Sequence, residues 1–409
     1  MALVRIRPGL GREIFAMEGG EPIRLRTILV AALGMGVPVL AGLLLGYRDA
    51  GFTIGLGAIL LAGAPASAAG APQEGSHPGR AVLPALLAVA AATAIGGRMW
   101  TDAAMILLVA VAGLLSGYSR PLAIAAIRFS IYLVLSVGFL EGAAAYRGFV
   151  ALIFGLGALW NIVLRMLLTE RTSATDEAAP ARRTPTAAQR RAHFRKTLRT
   201  LDGWQFPLRL ALGLGIASGI RHAWPAHHYY WIVLTVALLT QRPIEHVPVK
   251  TMQRLIGTIA GVGLAAIILI GFTSTVVLAV LACLLAVMVP VARARSYLLY
   301  SVVVTPLILL VLDLGRPVPL ALLGDRLVAT LAGGIIVIGG NIAFDRLLAA
   351  SAARADKHGR RARLRGPRPR PSSARPRHPT PDRHSPLSPF HRGFDAACRP
   401  GRPAAGRRG

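Results

Sequence analysis

The chain has 409 residues, of which 54% are hydrophobic and 16% charged, and its formal net charge is +28. Its mean hydropathy of +0.55 is too high for a water-soluble domain of this length. Such a charge on a soluble protein would point to nucleic acid, but its distribution argues against that. From Ala350 onward there are 16 Arg and Lys against 3 Asp, and from Glu170 to Gln205 there are 8 basic against 4 acidic residues. Basic segments beside apolar spans are what the inner face of a membrane retains, so no nucleic-acid partner is expected. Two cysteines, Cys283 and Cys398, make neither a disulfide framework nor a metal cluster, and no cofactor is expected.

Residues 1–26 carry five arginines and no apolar run of signal-peptide type. Apolar segments follow at 27–46, 51–69, 81–97, 103–118, 121–140 and 148–168. After a basic linker at 170–205 come 206–222, 228–241, 253–271, 274–291, 296–312 and 325–347. Most approach the ~20 residues of a membrane-crossing helix. Their apolar runs are continuous rather than alternating, which favours helices over a barrel. The fold class expected is all-α: a polytopic membrane protein of about 12 transmembrane helices in two six-helix repeats. The domains are a cytoplasmic N-terminus (1–26), a degenerate first repeat (27–169), the linker (170–205), a second repeat (206–349) and a disordered Arg/Pro-rich tail (350–409).

An even span count puts the N-terminus, linker and tail on one side, the cytoplasmic one. Arg80, Arg120, Arg242, Lys250, Arg254, Arg293 and Arg295 fall at inner ends, whereas Arg48, Arg98, Arg147, Arg221 and Arg316 fall outside. The halves resemble each other. Arg24 and Arg209 open them, Gly42/Gly46 matches Gly215/Gly219, and Pro65 matches Pro243. The Gly-x-x-x-Gly pairs, with Gly113/Gly117, Gly138/Gly142 and Gly257/Gly261, suit close helix packing and a homodimer. Within the linker, Ala187 to Leu201 reads as a basic amphipathic helix on anionic headgroups, and the tail is a second candidate for lipid contact.

The most informative stretch is Tyr229 to Gly263, YYWIVLTVALLTQRPIEHVPVKTMQRLIGTIAGVG. An apolar run from Trp231 breaks at Gln241-Arg242-Pro243, and a second opens with Arg254-Leu255-Ile256-Gly257-Thr258. The aromatic-Trp start, the Leu-Thr pair, the Gln-x-Pro break and the Arg-Leu-x-Gly-Thr-x-x-Gly helix resemble the fusaric acid resistance family of bacterial membrane proteins. That resemblance implies a cell-membrane efflux transporter for organic acids, aromatic carboxylates among them. Family members often carry a larger cytoplasmic domain between the halves, for which this linker is too short.

The candidate substrate-binding residues are Arg128, Arg209, Trp231, Thr235, Gln241, Arg254, Thr258 and Arg326. Ionisable groups inside a membrane are costly and mark function by default, and an arginine fork fits a carboxylate in two bonds. Each has a plainer reading. Arg128, about 12 Å into its span, snorkels to the inner surface. Arg209 and Arg254 anchor there too. Arg326, at an outer end, pairs with Asp325. Trp231 belongs to an interfacial aromatic belt. Thr235, Gln241, Thr258 and Asn341 bond neighbouring helices. No nucleotide-binding or hydrolase motif is present, so an enzyme is not expected. Two alternatives to an exporter stay open: a passive anion channel lined by arginines, and a membrane scaffold that works through its basic linker and tail.

Overall fold

A computed structural model describes Phe15, Ile23 and residues 25–62, 78–141, 146–168, 186–225, 227, 230–240, 247–312 and 320–365. The regular elements among the described residues are all helices. The first half of the chain supplies α1 (Leu25–Leu44), α2 (Arg48–Ala62), α3 (Pro78–Ile95), α4 (Thr101–Leu115), α5 (Arg120–Glu141) and α6 (Arg147–Leu168). The linker supplies α7 (Ala187–Leu198). The second half supplies α8 (Leu201–Ala223), α9 (Tyr230–Leu239), α10 (Val247–Gly271), α11 (Thr275–Arg295), α12 (Tyr297–Leu312) and α13 (Leu320–Arg365). Residues 1–354 form one compact unit and residues 355–409 another.

Six helical stretches are long and apolar enough to cross a membrane: Leu25–Leu44, Arg120–Glu141, Arg147–Leu168, Val249–Gly271, Thr275–Arg295 and Leu322–Leu347. Val82–Ile95, Thr101–Leu115, Tyr230–Leu239 and Tyr297–Val311 are shorter apolar helices. The surfaces of the long helices agree with a lipid setting. On α1, Leu29, Leu33, Val37, Leu40 and Leu44 point outward, and on α6 so do Leu152, Leu156, Leu159, Val163 and Met166. Spacings of three and four place each set on one stripe. Apolar stripes of this length do not face water on a stable soluble protein.

Inside, one apolar cluster joins α3, α4, α5, α8, α9 and α13 through residues such as Ala88, Met105, Leu133, Leu214, Val233 and Ala329. Another joins α1, α2, α10, α11 and α12 through Met35, Phe52, Ile268, Ala282 and Leu307. Within the first half, α1 packs on α2, α3 on α5, α4 on α5, and α6 on both α1 and α2. Within the second, α8 packs on α9, α10 on α12 and α11 on α12. Across the halves, α4 meets α8 and α5 meets α9, while α11 meets α1 and α12 meets α2.

The close pair α10 and α12 rests on small residues. A Cβ on Gly257 would stand 2.5 Å from Ser301 Cβ, and one on Gly261 would stand 2.8 Å from Thr305 Cβ and 2.9 Å from the Val302 carbonyl. Pro306 inside α12 has no N–H to give that carbonyl, and the glycine lets α10 close over it. Gly42 and Gly51 allow a similar approach of α1 to α2. The expectation of packing fails for Gly215 and Gly219, which face open space. That leaves a smooth strip on the lipid-facing side of α8.

Two boundaries differ from the sequence reading. The break expected at 350 is absent, because α13 continues to Arg365. The segment from Ala350 is rich in Ala and Arg, both strong helix formers, and it needs no apolar face to stay helical. The tail beyond Arg365 lies outside the described residues. In the linker, α7 starts at Ala187 as expected but ends at Leu198 instead of Leu201; its cap is Thr186, whose hydroxyl accepts from the Gln189 N–H at 3.3 Å while Gln189 Oε1 accepts from the Thr186 N–H at 2.9 Å. This reciprocal cap satisfies donors that a helix start leaves open. No side chain of α7 is buried, although Phe194 meets the Tyr118 ring edge-on at 5.7 Å.

Candidate functional site

The site grows from three helix faces. On α9, Trp231 and Thr235 lie four residues apart and share a face. On α13, Arg326, Thr330 and Gly333 do the same, with the Thr330 hydroxyl donating to the Arg326 carbonyl at 2.9 Å. Gly333 seats α13 on α9, since a Cβ there would lie 2.7 Å from Thr235 Cβ. Gly334 faces Thr251 of α10 at 3.0 Å. With the three backbones this close, the side chains one to two turns away must meet.

Arg326 is 2% exposed. Its guanidinium lies 3.5 Å from the centre of the Trp231 ring. This is a cation stacked on an aromatic face, which contributes about 2 kcal/mol when desolvated. Its Nε and Nη2 have no hydrogen-bond partner among the described residues. Those two N–H groups form one edge of the guanidinium fork, the edge that takes a carboxylate side-on with two bonds. The neighbouring Asp325 pairs with the loop histidine His227, its Oδ1 lying 2.8 Å from Nδ1.

Arg254 is 3% exposed and close enough to Arg326 for the two charges to repel. Tyr297 on α12 lies within electrostatic reach of its guanidinium. Arg254 is therefore buried within the protein and near Arg326, not on the side opposite it. One turn further along α10, Thr258 is fully buried and its hydroxyl is without a partner among the described residues.

The other predicted residues fall elsewhere. Arg209 is 5% exposed, not anchored at a surface, and its Nη1 donates to Asn341 Oδ1 at 2.6 Å. Asn341 lies fifteen residues, about 22 Å, beyond Arg326 on α13, so this pair is a separate brace between α8 and α13. Arg128 lies half-buried on α5, in the neighbourhood of Tyr132 and Arg293. Gln241 lies outside the described residues.

At the helix ends beyond Trp231 is a polar network that the sequence reading missed. Arg221 of α8 bonds Glu141 of α5 at 2.9 Å and Asp102 of α4 at 3.3 Å. It also lies 5.4 Å from the Tyr230 ring. His222 stands 3.6 Å from Asp102. With Arg98, Thr101 and Arg147 these groups line a cavity of about 180 Å³. The signal was available in the sequence: the expected topology puts Arg98, Arg147 and Arg221 on the side where basic residues are unusual, and each needed a reason to be there.

A bundle with lipid-facing apolar stripes on its outer helices and a buried aromatic–guanidinium cluster inside is a multi-pass membrane protein. Residues 215–339, from α8 into α13, match the family model described as fusaric acid resistance protein-like. The matched segment holds Trp231, Thr235, Gln241, Arg254, Thr258 and Arg326, and leaves out Arg128 and Arg209. No curated protein and no solved structure matches the chain.

Proposed function

We propose that the protein is a bacterial cell-membrane exporter of organic acids, aromatic carboxylates among them, and that Arg326 on the face of Trp231 holds the substrate carboxylate. The observation that carries this reading is the orphaned edge of Arg326, where two buried N–H groups of a charged side chain lack acceptors among the described residues. A buried charge left uncompensated costs roughly 3–5 kcal/mol, and buried donors in native proteins are almost always paired. A carboxylate on that edge satisfies both N–H groups and the charge, and Arg254 adds a second positive charge nearby. Trp231 both holds the guanidinium and offers an apolar wall, which suits a ring attached to the carboxylate.

The two six-helix repeats belong to the same proposal. In their support, three packings in the first half have counterparts six elements later once the linker helix is set aside: α1 on α2 and α8 on α9, α3 on α5 and α10 on α12, α4 on α5 and α11 on α12. The contacts between halves exchange in the same way, α4 on α8 for α11 on α1, and α5 on α9 for α12 on α2. A two-fold relation between repeats produces this exchange, and it suits a carrier whose halves rock against each other. Cytoplasmic termini, contact of α7 and the tail with anionic lipid, and a homodimer complete the proposal.

The test is a growth assay in a strain stripped of its own organic-acid exporters and challenged with benzoate-type and hydroxylated aromatic acids. The wild type protects, and Arg326→Gln at equal membrane level loses protection. Equal protection by both would take the substrate away from Arg326. No protection by either would reject export of these acids.

A further inference from the structure

The cavity of about 180 Å³ beyond Tyr230 has a chemistry of its own. The turn between α3 and α4 brings Arg98 to it and α4 brings Asp102. There α5 ends at Glu141, α6 begins at Arg147, and the last turn of α8 supplies Arg221 and His222. Arg221 spends its fork on the two carboxylates, with Nη1 2.9 Å from Glu141 Oε2 and Nη2 3.3 Å from Asp102 Oδ2. Other partners place the other two arginines. The Arg98 guanidinium stands 5.0 Å from the centre of the Trp100 ring. Arg147 donates through Nε to the Leu140 carbonyl at 3.2 Å, and its guanidinium lies against Gly97, the residue before Arg98. Gly97 has φ +75°, and a Cβ there would collide with that guanidinium. Glycine is thus required twice at 97, by the backbone and by the arginine lying on it.

The cavity is next to the proposed transport site. Tyr230, whose ring is 5.4 Å from the Arg221 guanidinium, and Trp231, under Arg326, are the first two residues of α9. Tyr230 is pinned as a partition: its hydroxyl donates to the Val134 carbonyl, and its ring takes the space a Cβ on Gly138 would need. Among the side chains that line the cavity, three arginines stand against two carboxylates, an excess of one positive charge with His222 neutral. Planar guanidiniums match oxyanions, while carboxylates already in the wall repel a second negative charge. The volume holds several waters, and a small organic acid can replace them. We propose that this cavity is a second station for the transported anion, where Arg98 and Arg147 hold a singly charged organic carboxylate across Tyr230 from Arg326. Its part in transport rests on the export reading above; its binding of the anion does not.

Full-length protein carrying Arg326→Gln, which removes the first station, is unfolded by heat in neutral phosphatidylcholine nanodiscs at rising benzoate. Chloride at matched ionic strength controls for screening, and succinate supplies a doubly charged comparison. The expected result is a saturable rise in unfolding temperature with benzoate, and none with chloride or succinate. Adding Arg147→Gln should raise the half-saturating benzoate by about tenfold. So should Gly97→Ala, which keeps every charge and displaces the guanidinium. Arg295→Gln, on α11 and outside the cavity, should leave it unchanged. Each variant is read against its own unfolding temperature without benzoate, so a loss of stability does not imitate a loss of binding. A benzoate response no greater than that to chloride overturns the proposal, as does a response unchanged by both Arg147→Gln and Gly97→Ala. Saturable stabilisation by succinate in place of benzoate overturns it too. Liposome transport separates the two readings. Benzoate bound here through Arg147 without movement by the wild type keeps the site and rejects export, whereas movement without binding here rejects the second station alone.

Discussion

An arginine inside a membrane bundle needs something to hold its charge, and Arg326 has the Trp231 ring at 3.5 Å. Two substitutions separate what the ring and the fork each do. Arg326→Lys keeps the charge but loses the side-on pair of N–H groups, and it should lower protection against aromatic acids nearly as far as Arg326→Gln. Trp231→Leu keeps an apolar wall and removes the aromatic face. It should weaken substrate affinity by about 1–2 kcal/mol, or roughly tenfold, read as a shift in half-saturating substrate with the maximal rate kept. A Lys variant that transports as well as the wild type would remove the bidentate role. At this scale the sequence was partly legible. Arg326, Arg254, Trp231 and Thr235 stand out because charged and polar groups in apolar runs are costly. That Arg254 would meet Arg326 was hidden, since it depends on α10 and α13 approaching at Thr251 and Gly334. Asp102 was hidden for another reason: it looks like an ordinary helix-end charge until its partners from a distant helix are placed beside it.

Among the elements, α10 and α12 make a close junction, and its chemistry is a row of small residues. Gly257 and Gly261 on one helix face Ser301 and Thr305 on the other. Gly257→Leu would drive a side chain into Ser301 and the Leu298 carbonyl, and overpacking of this kind costs about 1–3 kcal/mol. A fall in thermal unfolding temperature measured in detergent checks this, and Gly215→Leu on the open face of α8 should leave the temperature unchanged. Element positions were readable because continuous apolar runs leave few alternatives in a membrane. The same glycine spacing, however, packs at 257/261 and not at 215/219. The pattern permits a close approach, and only the neighbouring helix decides whether one occurs. The extension of α13 to Arg365 escaped notice because helix propensity, not apolar periodicity, sustains it.

For the whole molecule, the two halves are joined by apolar contacts and, among the described residues, by an ionic device, Arg221 of α8 holding Asp102 of α4 and Glu141 of α5. These groups are partly exposed, so each pair should couple by only about 0.5–1 kcal/mol in a double-mutant cycle of unfolding. A larger effect is expected on transport, because halves that rock must strain this bridge. Removing residues 366–409 should leave transport intact, whereas loss of activity on truncation would favour a scaffold that acts through its tail. The central claim is that a buried arginine on an aromatic face moves an organic anion across the membrane. Its most direct test uses purified wild type and Arg326→Gln, reconstituted side by side at equal density in liposomes and supplied with radiolabelled benzoate-type acids. The account predicts protein-dependent, saturable movement of label by the wild type and a rate at the protein-free background for the variant. Equal movement by both proteins, or none by either, would contradict it.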